Sequence, residues 1–207
     1  MRSAHARGEL AAAVPLLASA ARYRPAFDSP AELADPPAAV LVSDGAAEPA
    51  VICVPSFLAG SGPHQFARLA AGFGTRRQVF ALTLPGFGKS LCRPPVGTPP
   101  SRPWPTRRGA AGEAPALLLG HSIGGALAHA VAARLEREGH PVAGAVLIDT
   151  YEPDPAERSE VFAWAMGAVL DRDHAYVDVN ETNVLAMGGY LGLFDGWAAD
   201  ELAAPSC

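Results

Sequence analysis

Between residues 116 and 138 an aliphatic run, ALLLG, gives way within two residues to SIGGALAHAVAARLERE, which has helical periodicity. The break is made by Gly120-His121-Ser122-Ile123-Gly124, with a further glycine at Gly125. A buried strand that turns directly into a helix needs small residues around the turn, because the two backbones approach closely there. The serine between them is held on a strained corner with its hydroxyl presented outward. The helix N-terminus behind it aims amide hydrogens and a positive dipole end at developing negative charge. Ser122 is therefore a candidate nucleophile, and the amide of Ile123 a candidate arm of an oxyanion hole. The five-letter pattern is weak in a chain with 21 glycines; its context of strand before and helix after is what makes it specific.

Further short aliphatic runs recur at residues 39–42, 51–54, 79–84 and 144–149, separated by helical candidates at 64–73 and 122–138. Apolar strands with little alternation, interleaved with helices, predict an α/β fold with a parallel sheet covered by helices on both faces. Residues 9–22 read as a further helix with Leu10, Val14 and Leu17 on one face, followed by a proline-rich linker, so that 1–36 is an N-terminal arm. A length of 207 residues suits one domain with a real core. The net charge of -5 argues against nucleic acid or an anionic membrane surface as partner. Three scattered cysteines are neither a disulfide framework nor a metal-ligand spacing and favour a reducing compartment. No apolar run is long enough for a membrane span. The stretch ELAAAVPLLASAA after two arginines has some signal-peptide character, but Glu9 and Pro15 interrupt it, and a cytoplasmic location is expected.

Residues 89–115 break the pattern. A crossover helix is required between the strand near Leu84 and the strand near Ala116, yet six prolines fall between Pro94 and Pro105. Each would cost a helix about 3 kcal/mol, so no amphipathic helix forms there. Two readings stay open: a long proline- and arginine-rich loop, or a pair of compensating reading-frame slips in GC-rich DNA, which the other frames of the nucleotide sequence would decide.

A second oxyanion donor is expected from the loop Ser56-Phe57-Leu58, after the strand VICVP. Asp149, closing the strand GAVLID, projects at the carboxyl edge of the sheet and is the candidate acid of a catalytic triad. Asp154, Asp171 and Asp173 read better as turn and capping residues.

With these pieces in place the chain resembles the terminal thioesterase domain of modular polyketide synthases and the related type II editing thioesterases, of the α/β-hydrolase superfamily. The matching stretches are RYRPAFDSPAEL, SGPHQFARLA, LPGFG, LLLGHSIGG and VLIDTYEPD, covering most of the chain outside residues 89–113. The resemblance implies a serine acyl-enzyme at Ser122 supported by Asp149, with oxyanion donors on the backbones of Phe57 and Ile123, although the family usually has a smaller residue at position 57. It implies a helical lid over 156–200 and a substrate delivered on the phosphopantetheine of an acyl carrier protein. It also implies a homodimer through the N-terminal helix, with no metal or bound cofactor.

The family's base follows the last strand, in chain order Ser, Asp, His. Of six histidines, His121 adjoins the serine, but neighbours on such a turn point different ways, so it supports the site from behind or is structural, and His64 is placed to shape the pocket. His129 and His140 lie on and after the nucleophile helix, and His174, in the lid, is the one to test as a substitute base. The chain reaches Cys207 near where the strand after the lid would begin, so a domain lacking its C-terminal strands and catalytic histidine, weakly active or inactive, is expected. The alternatives are a generic serine esterase and a non-catalytic remnant that binds an acyl group or carrier protein.

Overall fold

In a computed structural model the residues described are 1–27, 33, 37–87, 92–94, 115–150, 157–171, 179–195 and 197–205. Residues 89–91 and 95–113 of the proline-rich stretch, together with His174, Asp154 and Asp173, lie outside them. The strands are β1 (Ala39–Ser43), β2 (Ala47–Val54), β3 (Arg77–Leu82), β4 (Ala116–His121) and β5 (Val142–Ile148). They form one sheet in the order β1-β3-β2-β4-β5.

From β3 to β5 all neighbours are parallel, whereas β1 runs antiparallel to β3. The parallel sheet expected from the sequence is present over β3, β2, β4 and β5, with β1 added antiparallel at its edge. Residues 44–46 alone separate β1 from β2, and three residues can reverse a chain but cannot carry the crossover that parallel strands need. Gly45 makes the reversal so close to the backbone of Arg76 and Arg77 that no side chain fits.

The helices are α1 (Arg2–Ala6), α2 (Leu10–Ala21), α3 (Ala67–Phe73), α4 (Ile123–Arg137), α5 (Arg158–Asp171) and α6 (Glu181–Leu191). The continuous helix expected over 64–73 is corrected at its start, where Pro63–Phe66 winds as a 3-10 turn before α3. In α4 the alanine-rich stretch buries Ile123, Ala126, Leu127 and Ala130, an i, i+3, i+4, i+7 stripe, and Arg134 and Arg137 sit in its last turn, where cations suit the helix dipole.

Successive strand residues face opposite sides of a sheet, and both sides are filled. Val51, Cys53, Val79, Ala81 and Leu119 pack with Phe66 and Ala70; Val54 and Leu118 pack with α4 and with α2, α5 and α6. That double burial is why the strands read as aliphatic throughout. Helix α2 lies on α5 and α6, with Leu10, Val14, Leu17 and Ala21 inward. Gly188 permits the contact: a Cβ there would stand 2.6 Å from the Leu17 carbonyl oxygen.

Beyond α6 the chain crosses α4 and the outer edge of β5. The Glu136 carboxylate accepts from the amides of Ala203 (2.9 Å) and Ala204 (2.7 Å), and the Ala145 amide donates to the Pro205 carbonyl at 2.9 Å. Among the described residues no strand pairs with that edge.

Candidate active site

Strand β4 ends at His121 and α4 starts at Ile123, so Ser122 alone joins strand to helix. Its backbone stands at φ 56°, ψ -137°. Asp149, immediately after β5, stands at φ 49°, and among the described residues these are the two non-glycine residues with positive φ. Such conformations cost of order 1–3 kcal/mol and persist only where the surroundings over-determine them.

The surroundings do so here. The Ser122 amide donates to the Ile148 carbonyl at 2.8 Å, and the Ser122 carbonyl accepts from the Gly125 amide at 2.8 Å. The Thr150 hydroxyl lies 3.2 Å from both the Ser122 and the Ile148 carbonyl oxygens and donates between them. A Cβ on Gly120 would overlap the Gly124 backbone, and one on Gly125 would overlap the Thr150 hydroxyl. Both glycines are therefore space requirements of the corner.

The register brings the two strained residues together. His121 of β4 is the partner of Ile148 of β5, so Ser122 and Asp149 are the next residues of adjacent parallel strands and leave the sheet at the same carboxyl edge. Ser122 is half-buried and Asp149 exposed. Among the described residues no hydrogen bond engages the serine hydroxyl or the aspartate carboxylate.

The loop after β2 packs against the first turn of α4. A Cβ on Gly124 would stand 2.7 Å from the Val54 carbonyl oxygen and 2.8 Å from the Ser56 nitrogen. This close approach sets the backbone of residues 54–56, which leads into Phe57, against the first turn of the helix. The buried Ser56 hydroxyl accepts from the Leu58 amide at 3.2 Å, closing a small turn around residue 57. No backbone hydrogen bond among the described residues uses the Phe57 amide, and the Ile123 amide, first in its helix, has no intrahelical acceptor. The Phe57 ring is fully buried against Phe162 (5.4 Å between centroids), Tyr190 (5.6 Å) and Phe194 (5.7 Å).

The histidines fall elsewhere. His121 is exposed at the end of β4, and His64 is exposed on the 3-10 turn, its Nδ1 3.4 Å from where a Gly62 Cβ would be. His129 meets Trp197 edge-on at 6.4 Å, the His140 amide closes the end of α4 on Leu135, and His5 pairs with Asp171 at 2.8 Å. Cys53 of β2 is no rival nucleophile, since burial pushes its thiol up to about 12. Among the described residues no three His, Cys, Asp or Glu side chains group as a metal site, and no helix is long and apolar enough to cross a membrane.

Reasoning from the sequence missed Thr150 and Tyr190. Thr150 follows the candidate acid directly, and its one sequence signal was the need of Gly125 for a close neighbour. Tyr190 carried none.

A mixed α/β sheet in which a strand with neighbours on both sides turns through a strained serine into a helix defines the α/β-hydrolase architecture. Residues 105–182 match the thioesterase domain family. Polyketide synthase GfsE of Streptomyces halstedii is 38% identical over 200 residues, which cover 92% of this chain and 5% of that protein. The spectinabilin polyketide synthase system protein NorC of Streptomyces orinoci is 36% identical over 205 residues, covering 90% of this chain and 8% of that protein. This chain thus spans less than a tenth of the curated relatives it matches. The solved structure of BorB, a type II thioesterase from the borrelidin biosynthetic cluster, superposes with a TM-score of 0.58 at 19% identity, over 81% of this chain and 75% of that one. The chain thus has the α/β-hydrolase fold, matches the thioesterase domain family over residues 105–182, and is similar to segments of polyketide synthases.

Proposed function

We propose that this domain transfers an acyl group from a thioester through a serine acyl-enzyme. The Ser122 oxygen attacks the thioester carbonyl as a base takes its proton. The amides of Phe57 and Ile123 receive the oxyanion, and the carbon–sulfur bond breaks to release a thiol carrying that proton. Water then hydrolyses the acyl-enzyme, or a hydroxyl of the acyl chain closes a macrolactone, and either returns the serine proton. Asp149 orients and stabilises the protonated base. The step uses a protein-derived nucleophile and no metal or bound cofactor.

The substrate is a polyketide chain on the phosphopantetheine of an acyl carrier protein in the cytoplasm, a reading supported by the similarity to polyketide synthases. Helices within 156–200 form the lid, with His64 and His121 at the pocket margin. The outer side of α2, where Leu16 is 70% exposed, is the surface through which two copies pair. Neither nucleic acid nor membrane is a partner.

What carries the reading is the pair of strained residues, Ser122 and Asp149, at one sheet edge beside two amides without backbone acceptors. A second reading, an acyl- or carrier-binding domain without turnover, is favoured by the absence of a histidine bonded to Ser122 among the described residues. Without a base in reach, turnover should fall by a factor of roughly 10⁴ to 10⁶ relative to an intact triad.

A fluorophosphonate separates the two. The serine oxygen displaces fluoride from phosphorus, and mass spectrometry locates the adduct. Labelling at Ser122 that disappears in Ser122→Ala, with slow turnover of an acyl thioester, is the expected result. A chain left unlabelled supports the binding reading, and labelling lost in His174→Ala assigns that histidine as the base.

A further inference from the structure

Tyr190 belongs to α6, yet it reaches both loops at the carboxyl edge of the central strands. Its ring lies on Phe57 of the loop after β2 (5.6 Å) and against Phe87 of the loop after β3 (5.7 Å). Its hydroxyl donates to the Pro85 carbonyl at 3.0 Å in a fully buried position. Phe57 is in turn gripped by Phe162 of α5 and by Phe194. The residue whose amide is the candidate oxyanion donor is thus anchored, through its own side chain, in the helical layer above the sheet.

We propose that Tyr190 is a positioning residue, fixing the Phe57 amide by stacking on the Phe57 ring and by tying α6 to Pro85. The proposal rests on the acyl-transfer reading of the site and adds a link between the helical layer and the oxyanion hole. The physical reason is the cost of misplacement: an oxyanion donor acts only within a narrow distance of the developing charge. The loop over residues 55–62 has two hydrogen bonds of its own, Leu58 to Ser56 and Ser61 to Leu58, and the Phe57 ring ties it to the helical layer. The buried phenol would be left unsatisfied if it moved off the Pro85 carbonyl, so the hydroxyl sets where α6 sits and, through the ring, where residue 57 sits.

The test compares wild type, Tyr190→Phe, Phe57→Leu and the control Trp164→Phe, an exposed ring on α5 outside the cluster. The readout is fluorophosphonate labelling of Ser122, resolved into reversible binding and maximal labelling rate. Tyr190→Phe keeps the ring and loses one hydrogen bond, so its maximal rate should fall about fivefold, the factor one such bond carries, with reversible binding unchanged. Phe57→Leu should show the same split, and Trp164→Phe should match wild type.

A Tyr190→Phe variant that labels at the wild-type rate overturns the proposal. So does a loss that merely tracks the unfolded fraction and disappears on cooling, because that is a stability effect alone. If wild type itself leaves Ser122 unlabelled, the acyl-transfer reading fails, and amide hydrogen exchange then decides the clamp. Faster exchange at Phe57 and Leu58 in Tyr190→Phe upholds it, and unchanged exchange refutes it.

Discussion

At the Ser122 corner backbone meets backbone. Gly120 rests on Gly124, Gly124 on the Val54 carbonyl, and Gly125 on the Thr150 hydroxyl, with hydrogen bonds from Ser122 to Ile148 and from Gly125 to Ser122 closing the turn. In the layer of α2, α5 and α6, side chain meets side chain: Leu10, Val14 and Leu17 on one helix face Met166, Met187 and Leu191 within one apolar cluster. Its polar ties, His5 to Asp171 and Arg158 to Asp195 (2.6 Å), reach a carboxylate at least 60% exposed and are worth about 0–1 kcal/mol each. The corner has no slack for a single methyl group at any of its three glycines, whereas the layer has that limit at Gly188, against the Leu17 carbonyl, and is otherwise filled by apolar side chains. Strain at Ser122 is thus sustained by close backbone packing and its hydrogen bonds.

The contrast predicts graded effects. Gly125→Ala forces a methyl into the space of the Thr150 hydroxyl and should destabilise by about 1–3 kcal/mol, read as a fall in thermal midpoint. Thr150→Ala in the same chain should recover part of that loss. Equal stability of Gly125→Ala and wild type would show that the corner yields after all.

Alkaline pH probes two buried groups, Cys53 in the cluster with Phe66 and Ala70 and Tyr190 in the helical layer. The Cys53 thiol is raised from 9.0 to about 12, and Tyr190 is raised well above 10.0, in both cases because burial disfavours the anion. Between those values the unfolded chain releases protons that the folded chain keeps, so the unfolded state binds fewer and stability falls as pH rises. The thermal midpoint should be flat to about pH 8.5 and decline above it, and Cys53→Ala should soften the first part of that decline.

The smallest effect belongs to Thr150→Val, which keeps the shape and removes the hydroxyl. Loss of a hydrogen bond near 3.2 Å should cost about 1 kcal/mol, and a threonine that only filled space would leave the midpoint unchanged.

The corner was legible because its causes are local. An aliphatic run, three glycines in six positions and an alanine-rich helix lie within about twenty consecutive residues, and close packing of adjacent backbones leaves glycine as the solution. The place of Asp149 was legible for the same reason, at the end of a recognisable aliphatic run and directly after β5. The boundaries of β2 were not: Glu48 and Pro49 obscure a strand that starts at Ala47, because a proline there reads as an interruption. The direction of β1 was hidden too, since it depends on which strand the chain pairs with after a three-residue reversal. Phe57 was a candidate from the sequence, but the burial of its ring was not foreseen, because nothing near position 57 announces the rings that enclose it.

By itself, then, the sequence determined a double-covered sheet, the break from strand to helix at residue 122, and an acid closing the neighbouring strand. These follow from steric and hydrophobic rules that act over a few residues. Tertiary structure alone decided that Ser122 and Asp149 stand side by side, that Thr150 locks the corner, and that Phe57 is enclosed by Phe162, Tyr190 and Phe194. Those contacts join residues some 30 to 140 positions apart, and at such separations the partner is chosen by the shape of the assembled core, which no local periodicity encodes.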